Sequence, residues 1–82
     1  MERTANLYIT PESRHVGEIK ECLSNQGVDI KVYDIHSDVD AHRRMLEATR
    51  GAGGPPVTEI GHQVVIGHDC NKLEETIDYE FR

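Results

Sequence analysis

Cysteine is scarce in this chain: there are two, Cys22 and Cys70, far apart and in no Cys-x-x-Cys pair. That scarcity excludes a disulfide framework and the common structural zinc sites, which need clustered thiolates. Long hydrophobic runs are missing too, and nothing approaches the roughly 18 apolar residues of a membrane span. Basic charge is in deficit, with 9 Lys and Arg against 15 Asp and Glu, a net charge of −6 and a pI near 5.2. Such a balance argues against a surface that tracks phosphates, so neither nucleic acid nor a membrane is expected as a partner. The start, Met1-Glu2-Arg3-Thr4-Ala5, has neither the basic region nor the apolar stretch of a secretory signal. Export is therefore not expected, and a cytoplasmic, reducing compartment is.

What remains is a globular composition, 37% apolar and 29% charged, in 82 residues. One domain spanning residues 1–82 is expected. A chain of this size buries only about 60–65% of the surface its unfolded form exposes, so no large cofactor cleft is expected and no tightly bound cofactor.

Hydrophobic periodicity divides the chain into seven segments. Residues 5–10 are β-branched and aromatic around an apolar centre and stop at Pro11, which predicts a buried strand. Val16, Ile19 and Leu23 then fall at helical spacing, with Pro11 and Glu12 suited to a first turn and Gly27 to a cap, which predicts a helix over 12–26. Val28, Ile30 and Val32 alternate with polar neighbours and Ile35 extends the run, the period of a second strand. Ser37 and Asp40 resemble a capping box, and Val39, His42, Met45, Leu46 and Thr49 trace one face of a second helix, closed by Gly51.

Residues 51–56, Gly-Ala-Gly-Gly-Pro-Pro, can only be a loop. Val57–Ile60 and Gln63–Ile66 flank Gly61-His62, where glycine at the first central position suits a type II′ hairpin. Asp69 then caps a helix whose face is Cys70, Leu73, Ile77 and Phe81, with Glu74, Glu75, Asp78 and Glu80 turned to water. The resulting order, βαβαββα, requires a right-handed parallel crossover followed by an antiparallel hairpin.

Three short motifs, in register on that order, resemble the glutaredoxin branch of the thioredoxin superfamily. They are Tyr8-Ile9-Thr10-Pro11-Glu12-Ser13-Arg14-His15-Val16, Pro55-Pro56-Val57 and Gly67-His68-Asp69. The resemblance spans almost the whole chain and implies an α/β, thioredoxin-like fold with a four-stranded mixed sheet and three helices. It also implies the thiol–disulfide redox class, with glutathione or a disulfide-bearing protein or peptide as partner and glutathione as co-substrate. Pro56 matches the family's cis proline. Pro11, Arg14, Pro55, Pro56, Val57, Gly67, His68 and Asp69 match the substrate-binding positions, and Arg50 is a further candidate for balancing glutathione's carboxylates. Pro55 has no N–H, so one of the two backbone hydrogen bonds that the family offers its ligand is absent, a loss of about 0.5–1.5 kcal/mol.

The departure lies at the chemistry itself. Ser13 stands where the family has its nucleophilic cysteine, and Val16 where it has the resolving one. A thiolate works at such a place because a helix N-terminus lowers its pKa from about 8.5 toward 7 or below, whereas a hydroxyl titrates far higher and forms no disulfide. The chain as written therefore cannot run dithiol or monothiol exchange at Ser13. Three readings of Ser13 stand: a helix cap, a replaced cysteine or selenocysteine, and a new use of the hydroxyl. The alternative to a redox protein is a non-catalytic binding or regulatory module that uses the cis-proline groove.

Cys22 is expected as a small core residue, and Cys70, at the start of the last helix, as a candidate reactive thiol. A bridge between them is not expected: with Cys22 about nine residues into its helix, roughly 13 Å from the end that Cys70 should approach, the span exceeds the limit of about 7 Å. Among the five histidines, His15 and His68 would meet Cys70 if the resemblance holds, but their spacing specifies no metal site. Nothing resembling a nucleophile elbow surrounds Ser13, which argues against a hydrolase built on Ser13, His15 and Asp69.

Overall fold

The computed structural model describes residues 3–82, so the reading of Met1 and Glu2 as part of a leaderless start lies outside the described residues. Its elements are β1 (Thr4–Ile9), α1 (Val16–Asn25), β2 (Asp29–Asp34), α2 (Val39–Thr49), β3 (Val57–Ile60), β4 (Gln63–Ile66) and α3 (Cys70–Glu80). Together they give the βαβαββα order that the periodicity predicts. The strands form one sheet in the order β2-β1-β3-β4, with β1 and β2 parallel and the β1/β3 and β3/β4 pairs antiparallel.

Alternation along β1 sends successive side chains to opposite faces, and each face builds its own core. Ala5 and Leu7 join Ile60, Val65, the α1 residues Ile19, Cys22 and Leu23, and the α3 residues Leu73 and Ile77. Tyr8 goes the other way, to Val57, Ile35 and the α2 residues Ala41 and Met45. Each fully buried Leu or Ile here contributes about 1.5–3 kcal/mol of transfer free energy. The Gly61-His62 turn has positive φ only at its glycine, at 58°, as a type II′ hairpin requires.

Several local expectations are corrected. Helix α1 starts at Val16, because residues 11–15 are spent in turns and His15 takes a left-handed conformation (φ 64°) just before the helix. Asp38, rather than Ser37, caps α2 by accepting from the Ala41 N–H. That helix faces the sheet with Ala41, Met45 and Thr49, leaving Val39 82% and Leu46 45% exposed. Val32 is also exposed, because β2 is an edge strand. Glu80 does not turn to water: its carboxylate accepts from the His62 N–H and so closes the hairpin against the end of α3.

Candidate active-site end of the fold

Three connections converge at one end of the sheet: the turn between β1 and α1, the loop before β3, and the loop between β4 and α3. Two contacts fix this arrangement. The Gly67 N–H donates to the Pro56 carbonyl at 2.9 Å, and the imidazoles of His15 and His68 stack with ring centroids 3.8 Å apart and planes 12° from parallel. The Pro55–Pro56 peptide bond is cis. Gly67, at φ +101°, occupies a conformation that a side chain strains, which accounts for a glycine there.

Ser13 is half-buried and sits in the turn, not on the helix. Its Oγ accepts from the Thr10 N–H at 2.9 Å and shares a hydrogen bond with Thr10 Oγ1 at 3.2 Å. Its own N–H donates to the Thr10 carbonyl at 3.0 Å. The helix-cap reading of Ser13 is thus corrected: the hydroxyl closes the β1–α1 turn, and α1 begins three residues later with His15 in the capping position and no side-chain cap. Pro11 lies in the same turn, exposed, rather than in a first helical turn. Arg14 is exposed, and Arg50 is the exposed left-handed residue that ends α2.

His15 is anchored by Glu18, whose Oε1 lies 3.1 Å from its Nδ1. His68 and Asp69 follow Gly67 on the exposed rim. Asp69 caps α3 as expected, with Oδ1 accepting from the Lys72 N–H at 3.3 Å. Val16 opens α1 and packs half-buried against the core. Val57 is fully buried among Tyr8, Ala41 and Met45. Its position in β3 turns the side chain under α2 and leaves the backbone next to the cis-proline loop.

Two of the cysteine expectations, a free thiol at Cys70 and no bridge to Cys22, are overturned together. Cys22 and Cys70 form a disulfide, with Cα atoms 6.0 Å apart, so no free thiol remains at Cys70. The reason is the packing of α1 against α3. Because α1 starts at Val16, Cys22 lies less than two turns into it, and the first residue of α3 lands beside that turn. Cys22 is 5% exposed within the core, as expected, while Cys70 lies on the surface.

A polar cluster on the α2 face escaped the sequence reading. Glu59 Oε1 accepts from Asn6 Nδ2 at 2.9 Å and from the Tyr8 hydroxyl at 3.0 Å. Tyr33 stacks on Tyr8 with centroids 5.5 Å apart, and the Arg44 guanidinium lies 4.7 Å from the centre of the Tyr33 ring. Burial of the phenol, then the bond to Glu59 and its charge, push the Tyr8 pKa up to about 12. Only the pairing register of β1 with β3, which sets Asn6 opposite Glu59, brings these residues together.

No known family profile matches the chain. Among characterised sequences it is similar to the Gene 56 protein of Mycobacterium phage L5, 23% identical over 73 residues, 89% of this chain and 71% of that protein. The Gene 56 protein of Mycobacterium phage D29 is 25% identical over 73 residues, 89% of this chain and 81% of that protein. Among solved structures it superposes on the thioredoxin-like protein BC3987 with a TM-score of 0.74 and 25% identity, covering 88% of this chain and 97% of that one. A mutant of BC3987 gives a TM-score of 0.74 at 24% identity, covering 90% and 94%. The chain has a thioredoxin-like fold, a redox-type scaffold, here with one disulfide joining α1 to α3.

Proposed function

We propose that this chain is a glutaredoxin-like protein of the thiol–disulfide redox class, with its groove at the Ser13 end and Ser13 in the place of the nucleophile. The observation that carries this reading is the hydrogen bond from Gly67 to Pro56 beside the cis Pro55–Pro56 bond, which holds two of the three motifs side by side. An extended ligand there would use the Pro55 carbonyl, and its carboxylates would lie near Arg14. Glutathione, or a disulfide-bearing peptide, fits that chemistry. As written, Ser13 performs no exchange: its hydroxyl is engaged with Thr10 and carries no thiolate. The reading includes a cytoplasmic location and a native cysteine or selenocysteine at position 13.

Ser13→Cys is the direct test. It is expected to create glutathione-dependent reduction of a small disulfide substrate, with a thiol pKa below the ordinary value of about 8.5. An ordinary pKa together with no exchange would sink the redox reading. A non-catalytic binding module is the second reading, favoured by the Cys22–Cys70 bridge, which takes up both thiols of the chain. Glutathione titration of the unmodified chain by NMR addresses it: shifts confined to residues 12–15, 54–57 and 67–70 support a retained groove, and none at millimolar ligand count against both readings.

A further inference from the structure

The same end of the molecule assembles a nitrogen and oxygen donor set. One ligand-capable atom from each of His15, Glu18 and His68 lies within 4.8 Å of the other two, and all three residues are exposed. They come from separate places: the left-handed residue before α1, the first turn of α1, and the loop before α3. Two imidazoles and a carboxylate suit borderline divalent ions, zinc foremost, and three protein ligands leave a position open to water. Magnesium and calcium prefer all-oxygen shells. A thiolate contributes nothing here, because Cys70 is bonded to Cys22; for the same reason the neighbouring group of Cys22, Cys70 and Glu74 offers no sulfur ligand.

Geometry and charge both bear on the affinity. Imidazole lone pairs lie in the ring plane, and the two planes are stacked 12° from parallel, so the rings must tilt for a nitrogen of each to meet one ion. Both are on the surface, where ring rotation is fast and costs little. The ligand-capable atoms of the three residues lie within 4.8 Å of one another, so a small movement brings two nitrogens to the roughly 3.4 Å separation that a tetrahedral zinc with bonds of about 2.0–2.1 Å needs. The positive ends of α1 and α3 oppose a cation, and the carboxylates of Glu18 and Asp69 offset this. We propose that His15, Glu18 and His68 form a zinc-class divalent metal site that fastens the start of α1 to the loop before α3. The site does not depend on the redox reading.

Zinc titration of the oxidised 82-residue chain by calorimetry tests it. One ion per chain is expected, with a dissociation constant below about 100 μM, −5 to −6 kcal/mol. His15→Asn, chosen because Asn tolerates the left-handed backbone, and His68→Ala should each weaken binding by about tenfold or more, while His42→Ala on exposed α2 leaves it unchanged. Zinc-induced NMR shifts should centre on residues 15–18 and 67–70, with circular dichroism showing each variant folded. Binding weaker than about 100 μM, or binding that persists in the His15→Asn/His68→Ala double variant, overturns the proposal.

Discussion

Tyr8 sits where a sequence motif and the core overlap, and its chemistry follows from burial rather than from the motif. Its folded pKa of about 12 lies above the ordinary value of 10. A group whose pKa is raised on folding contributes stability that is complete below its unfolded pKa and is lost as the pH climbs through the folded one. Unfolding free energy is therefore expected to fall between about pH 10 and 12, and less steeply in Tyr8→Phe. Chemical denaturation at several pH values, alongside phenolate absorbance, checks this; a Tyr8 that ionises near the ordinary value of 10 would refute it. Thr58 illustrates the opposite case. It is fully buried, and among the described residues its hydroxyl finds no partner. Thr58→Val keeps the shape and removes the unsatisfied oxygen, so it should stabilise by about 1 kcal/mol in urea denaturation.

At the scale of elements, the α1–α3 contact governs more than packing. The Cys22–Cys70 bridge closes a sequence separation of 48 residues, for which the chain-entropy account gives about 4 kcal/mol. Reduction, or Cys70→Ser, should lower stability by that order while leaving the far-ultraviolet spectrum native. A change under about 1 kcal/mol would mean that the bridge does not constrain the unfolded chain. Attack by an external thiolate is directed to surface-exposed Cys70, which makes buried Cys22 the leaving group. Burial disfavours the charged thiolate, so exchange should be slow. The β3–β4 hairpin is held differently. A Cβ on Gly61 would run into the Glu80 carboxylate, and φ is 58° there. Gly61→Ala is expected to destabilise by more than about 1 kcal/mol, read from the thermal midpoint.

For the whole molecule, one sheet with a core on each face predicts that residues 1–82 unfold as one unit. Urea transitions followed by circular dichroism and by tyrosine fluorescence should coincide, and separated midpoints would show that the α2 side melts apart from the α1–α3 side. The order of elements and the strand boundaries near 57–60 and 63–66 were legible in the sequence, because period-two and helical spacing are local properties. So was the Asp69 cap. Helix starts were less legible: Pro11 and Glu12 suit a first turn, yet Ser13 binds Thr10 and delays α1 to Val16. The exposed Val39 and Leu46 show that an apolar stripe does not by itself say how far a small sheet extends beneath a helix.

The sequence by itself determined the alternation of strands and helices, the thioredoxin-like order and the absence of a cysteine at positions 13 and 16, since these depend on residues close together in the chain. Only the tertiary structure decided that Cys22 meets Cys70, that His15 stacks on His68, and that Glu59 receives both Asn6 and Tyr8. Those contacts depend on how far α1 slides along α3 and on the register of β1 with β3. Both are set by packing both faces of the sheet at once, which no local spacing encodes.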